Sequence, residues 1–115
     1  MEKNIYYTLK ILRLHCYISD EDDSDEVFLK FNGEKIWPES KYVEMKEGTE
    51  MVGFETKVEK GKSVKFEIWD YDMFSPNDLL GEVNIVADKV GGPFTTDMIR
   101  KEAGNARYSL EWEMY

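Results

Sequence analysis

Alternation of apolar and polar residues is the dominant pattern along this chain. Residues 64–69 and 108–114 alternate between apolar and mainly charged positions. A period of two puts every second side chain on one face of a strand, so each run predicts a half-buried strand. Residues 5–18 alternate as well, but the phase of the pattern changes near Ile11 and Leu12. This change predicts a β-bulge or a strand that is buried on both faces.

Turn residues separate the alternating runs. Asn32-Gly33 lies between two apolar runs and predicts a tight hairpin, because a type I′ turn needs positive φ at both central residues. Further strands are predicted around 51–58 and 79–86. Seven or eight short strands at this spacing indicate an all-β, antiparallel β-sandwich that forms a single domain over residues 1–115.

The segment after residue 90 breaks the strand pattern. Gly91-Gly92-Pro93 interrupts the chain, and one short helix near the C-terminus is predicted at about 96–103, ending at Gly104.

Composition and charge exclude several classes of function. The net charge of −9 argues against nucleic-acid binding and favours a cation as partner. The single Cys16 suits a reducing compartment, and no apolar stretch is long enough to span a membrane. The first residues do not read as a signal peptide, so a cytoplasmic location is expected. His15 and Cys16 are neighbours on a predicted strand and point to opposite faces, so no nucleophile–base pair and no enzyme activity are predicted.

Two acidic loops carry the candidate chemistry. Residues 20–26 hold six carboxylates, and residues 70–78 follow the apolar strand directly. Asp70, Asp72 and the returning Asp78 can converge, and converging carboxylates repel one another unless a cation neutralises them. Hard oxygen ligands in a flexible loop favour Ca²⁺. The other interpretation is that each run is an ordinary solvated loop.

The segment 66–82, Phe-Glu-Ile-Trp-Asp-Tyr-Asp-Met-Phe-Ser-Pro-Asn-Asp-Leu-Leu-Gly-Glu, resembles the third calcium-binding loop of a C2 domain. The wider resemblance covers about residues 5–86. It implies an eight-stranded antiparallel sandwich with Ca²⁺ held between loops at one end. The positions that match the family's ligands are Asp25, Asp70, Asp72 and Asp78, with Ser75 as a weaker match.

The resemblance is incomplete in the first loop. The family's other first-loop aspartate falls at Ser19, which is not a carboxylate. Asp20, Asp22 or Asp23 is left to substitute for it.

The resemblance also implies a function. In the family, calcium often bridges the loops to anionic lipid, and apolar loop tips insert. Met73 and Phe74 lie at the predicted tip of loop 70–78. The expected function is therefore calcium-dependent, peripheral association with phospholipid membranes. The alternative is a small protein-interaction adaptor in which the metal is structural or absent. The lysines of residues 35–46 are interleaved with glutamates, so no polybasic lipid site is predicted.

Overall fold

Two antiparallel sheets pack face to face in the computed structural model, which describes residues 4–21, 23–100 and 104–115. The nine strands in these ranges are β1 (Tyr6–Ile18), β2 (Asp25–Phe31), β3 (Glu34–Trp37), β4 (Val43–Met45), β5 (Gly48–Glu59), β6 (Ser63–Asp70), β7 (Asp78–Val86), β8 (Gly91–Met98) and β9 (Arg107–Met114). One sheet has the order β5-β1-β9-β8. The other has the order β3-β2-β6-β7, with β4 paired to β2.

The core lies between the sheets and comes from the alternating positions. Leu9 and Leu110 of the first sheet and Leu29, Phe66 and Ile68 of the second are all fully buried. The intervening side chains face outwards, as a period of two requires.

A β-bulge in β1 explains the change of phase in residues 5–18. The pairing of β1 with both β5 and β9 shifts between Ile11 and Arg13. Ile11 before the bulge and Leu14 after it are both fully buried. The bulge therefore returns the apolar positions to the core face, and the sequence-based prediction of a bulge is confirmed.

The predicted hairpin is also present. Asn32 has a φ of 47° and Gly33 a φ of 89°, the positive values that a type I′ turn requires. The Asn32 side chain also accepts a hydrogen bond from the Lys65 backbone N–H at 2.9 Å, which ties the turn to β6.

The predictions of eight strands and of a C-terminal helix are wrong. Residues 91–98 form β8, and no helix occurs among residues 4–21, 23–100 and 104–115. β8 is an edge strand that pairs with β9 alone, with a shift of register between Gly91 and Phe94. Phe94 and Thr96 are only half-buried and Met98 is its one buried residue, so β8 lacks the run of large buried apolar side chains that β6 carries. The three-residue β4 is the other added strand. Residues 101–103 of the predicted helix lie outside the described residues.

The ends of two neighbouring strands bring the acidic loops together. β2 begins at Asp25, β6 ends at Asp70, and Val27 pairs with Asp70 in register. The Tyr71 backbone N–H then donates to the Glu26 carbonyl oxygen at 2.7 Å. The described residues of loop 19–24, which leads into β2, and loop 71–77, which follows β6, therefore lie side by side at one end of the sandwich.

Candidate functional site

An acidic cavity of about 290 Å³ lies at this end of the sandwich. Half of its lining residues are acidic and the others are aromatic or apolar. The acidic residues are Glu21, Glu26, Asp70 and Asp72, and the others are Tyr42, Tyr71, Met73 and Phe74. The cavity thus combines clustered negative charge with an apolar rim.

Asp70 is the most deeply buried acidic residue in the lining of the cavity. It is 5% exposed, and its Oδ1 accepts a hydrogen bond from the Glu26 backbone N–H at 2.9 Å. Burial raises the pKa of the Asp70 carboxyl to about 7, although the Glu26 N–H opposes the shift. The carboxylates of Asp25, Glu21 and Glu26 raise this pKa further. A cation in the cavity would offset both the cost of burying the Asp70 charge and its repulsion by the neighbouring carboxylates.

The raised pKa predicts how stability depends on pH in the absence of metal. The folded-state pKa of Asp70 exceeds the unfolded value of about 3.9, so the free energy of unfolding should fall as the pH rises from about 4 to about 7. Asp70→Asn keeps an oxygen for the Glu26 N–H and removes the charge. At pH 8 in EDTA, urea unfolding should show the variant to be more stable by on the order of 2 kcal/mol. A variant that tracks the wild-type pH profile would contradict this assignment.

Asp72 organises the loop beyond β6. Its Oδ1 accepts the backbone N–H groups of Phe74 at 2.9 Å and Ser75 at 3.2 Å, and its own N–H donates to Asn77 Oδ1 at 2.8 Å. The Ser75 hydroxyl, together with these N–H groups, lowers the pKa of the Asp72 carboxyl. Asp72 is therefore ionised, and Ser75 supports it.

Asp25 does not face the cavity. It is fully buried, and its Oδ2 accepts the Tyr108 hydroxyl at 2.6 Å. The backbone N–H groups of Asp20 and Glu21 donate to the same carboxylate at 2.8–3.1 Å. Asp25 thus holds loop 19–24 against β9 from inside the sandwich.

Two further predicted ligands, Asp20 and Asp78, lie in different surroundings. Asp20 forms an ion pair with Arg100, with 2.9 Å between its Oδ1 and Arg100 Nη1. Asp78 is exposed at the start of β7 and stands opposite Asp70 in the register of β6 and β7. Asp22 lies outside the described residues.

Sequence reasoning missed Glu21 and Glu26 as members of the cavity. Both belong to the acidic run 20–26, but the positions that match the family's ligands are aspartates. Burial raises the pKa of the Glu21 carboxyl. The carboxylates of Asp25, Asp20, Glu26 and Asp72 raise it further, so charges from both loops act on this one group.

The tip of loop 71–77 exposes two large apolar side chains. Met73 is 70% exposed and Phe74 is 94% exposed. Both lie on the rim of the acidic cavity. No helix long and apolar enough to cross a membrane occurs in the described part of the chain. The two side chains that the sequence predicts as a membrane or partner contact are therefore accessible at the surface.

The carboxylate oxygens of the cavity are chemically suited to Ca²⁺, but they do not form a closed site. Asp and Glu oxygens are the hard ligands that Ca²⁺ prefers. Within the described ranges, however, no three Asp, Glu, His or Cys side chains stand in metal-binding geometry. Ion binding would have to draw loops 19–24 and 71–77 together around the cavity.

His15 and Cys16 lie on opposite faces of β1. The His15 ring contacts Thr49 Oγ1 at 2.8 Å and Glu111 Oε1 at 3.2 Å on the outer face. Cys16 is 2% exposed and belongs to the core. The two side chains do not form a pair.

The fold and the site together define the class of protein as an antiparallel β-sandwich of two sheets with an acidic cavity at one end. The family model that matches this chain is the C2 domain, over residues 36–103, which is more than half of its length. The chain therefore belongs to the C2 domain family. No curated protein matches the sequence significantly.

Solved structures share the fold at low sequence identity. A structure of CC2D1B, which coordinates ESCRT-III activity during the mitotic reformation of the nuclear envelope, is 17% identical with a TM-score of 0.58. It matches 97% of this chain, which spans only 55% of that one. A structure of a C2 domain is 20% identical over 94% of this chain and 97% of its own, with a TM-score of 0.50. A C2 domain of plant extended synaptotagmin 1 is 12% identical over 99% of this chain and 98% of its own, with a TM-score of 0.51.

Proposed function

We propose that this C2 domain binds Ca²⁺ at the acidic cavity and associates peripherally with phospholipid surfaces of the cytoplasm through Met73 and Phe74. The observation that carries the proposal is the position of two exposed apolar side chains on the rim of a cavity with four acidic residues. The function is binding rather than catalysis.

Asp70 and Asp72 would hold the ion, and Glu21 and Glu26 would add charge from the facing loop. When bound, Ca²⁺ neutralises these carboxylates and supplies positive charge for an anionic headgroup. Without that neutralisation, the acidic cavity would repel an anionic surface. Calcium dependence thus follows from the sign of the charge around the apolar tip.

Asp72 couples the ion to the loop tip. The same carboxylate that lines the cavity accepts the backbone N–H groups of Phe74 and Ser75. A change in the charge or position of Asp72 therefore reaches the apolar tip within two residues. Transfer of a side chain such as Phe74 out of water is worth about 1.5–3 kcal/mol.

A protein-interaction adaptor is the second candidate. It is favoured by the internal partners of Asp25 and Asp20, which leave fewer oxygens for an ion. In this case Met73 and Phe74 would contact an apolar patch on a protein, and the metal would be structural or absent. Ca²⁺ binding without vesicle binding would favour this candidate.

Thermal unfolding in EDTA, in millimolar Ca²⁺ and in Mg²⁺ tests the cation site. An ion at 100 times its Kd stabilises a fold by about 2.7 kcal/mol, which corresponds to a rise of roughly 10 °C in Tm. The rise should be larger with Ca²⁺ than with Mg²⁺, and Asp72→Asn should abolish it. Asp88→Asn, a substitution of an aspartate away from the cavity, is the matched control. No shift in the wild type at 10 mM Ca²⁺, which is about tenfold above the weakest Kd range of about 10⁻⁴–10⁻³ M, would refute calcium binding.

A further inference from the structure

The side chain of Arg100 reaches from the segment after β8 into loop 19–24. Its Nη1 donates to Asp20 Oδ1 at 2.9 Å, and the two side chains are only 12% and 21% exposed. Ile99, the residue before Arg100, exchanges two backbone hydrogen bonds with Glu82 at 2.8 and 2.9 Å. The chain that carries the guanidinium is therefore anchored to the edge of β7.

Gly104 makes room for this guanidinium. A Cβ at residue 104 would lie 2.3 Å from Arg100 Cζ and 2.5 Å from its Nη2, far inside van der Waals contact. The Asn105 backbone N–H, next along the chain, points at the same Asp20 Oδ1 from 3.4 Å. Groups on both sides of residues 101–103 thus converge on Asp20.

The ion pair extends to the buried Asp25. The backbone N–H of Asp20 donates to both oxygens of Asp25, at 3.1 and 2.8 Å. Asp25 also holds the Tyr108 hydroxyl. The two first-loop acids that would serve as ligands therefore already have cationic or N–H and O–H partners within the protein.

We propose that Arg100 is the resident counter-cation of loop 19–24. It neutralises Asp20, takes that carboxylate out of the ion-binding set and confines the divalent ion to the side of the cavity that holds Asp70 and Asp72. The inference rests on the proposed calcium site, because it assigns which of that site's acids an ion can use. Arg100 acts through Asp20 and is a positioning residue.

A double-mutant cycle in EDTA tests the pair without calcium. Arg100→Met and Asp20→Asn should each lower Tm by about 5 °C, and the double variant should lose little more than either single variant. Gly104→Ala keeps the charge but displaces the guanidinium, so it should reproduce the loss of Arg100→Met. The φ of Gly104 is outside the left-handed region, so alanine brings no backbone strain there. Additive losses in the cycle would overturn the proposal.

Calorimetric titration with Ca²⁺ tests the consequence for the ion. Asp20→Asn should leave the Kd within about twofold, whereas Asp70→Asn should weaken it by about tenfold or more. Arg100→Met should tighten binding or add a second ion, because it releases Asp20. A tenfold or greater loss in Asp20→Asn, on the order of 1.4 kcal/mol, would overturn the proposal. If the wild type takes up no Ca²⁺, the proposed function fails, and the cycle in EDTA alone decides the role of Arg100.

Discussion

Asp25→Ala is expected to lower the free energy of unfolding by about 3 kcal/mol. The carboxylate of Asp25 is fully buried and accepts the Tyr108 hydroxyl and the N–H groups of Asp20 and Glu21. Alanine leaves these donors without an acceptor, and a buried donor that loses its partner costs about 1–3 kcal/mol. The loss should be measured by urea unfolding at pH 7 in EDTA.

Tyr108→Phe is the matched control for this prediction. It removes one donor and leaves Asp25 with its two backbone partners, so it should cost only about 1 kcal/mol. The double variant should cost less than the sum of the two, because both changes break the same 2.6 Å hydrogen bond. If Asp25→Ala costs less than about 1 kcal/mol, the carboxylate is not the structural acceptor inferred from its contacts.

Phe66→Ala is expected to destabilise the fold by about 4 kcal/mol, the largest effect of any single substitution considered. Phe66 is fully buried in β6, and its ring lies 5.2 Å from that of Phe31 and 6.2 Å from that of Phe54. Truncation removes the buried ring, leaves a cavity and breaks two aromatic contacts.

Phe74→Ala makes the same chemical change at an exposed site. Because Phe74 is 94% exposed, its truncation should change the free energy of unfolding by no more than about 0.5 kcal/mol. Urea unfolding with an unchanged m-value should separate the two variants clearly. Equal losses would show that Phe74 packs against the sandwich and is not available to a membrane.

The strands that the sequence predicts well are those with a strongly apolar face. β6 and β9 carry large side chains at every second position, and the bulge in β1 leaves its own signature as a change of phase. β8 is not predicted from the sequence, because an edge strand buries little apolar surface. Gly91-Gly92-Pro93 reads as a break although it forms the start of this strand. Gly104 reads as a helix cap, whereas it makes room for Arg100.

In the candidate site, too, some features follow from the local sequence and others depend on residues far along the chain. Asp70 and Asp72 both line one cavity, and their spacing and the preceding strand are local features of the sequence. The partners of Asp20 and Asp25 come from Arg100 and Tyr108, which are 80 and 83 residues away along the chain. Only the pairing of the sheets brings them together, so no local pattern in loop 19–24 could predict them.

Sedimentation with phospholipid vesicles tests the central claim most directly. With phosphatidylserine-containing vesicles, the wild type should sediment in Ca²⁺ and stay in solution in EDTA. Phe74→Ser should weaken this binding by about tenfold or more, in line with the transfer of one aromatic side chain. Met51→Ser changes another exposed apolar residue, on β5 and away from the cavity, and should bind like the wild type. Wild-type protein that stays in solution at saturating Ca²⁺, or sediments equally in EDTA, would contradict calcium-dependent membrane association.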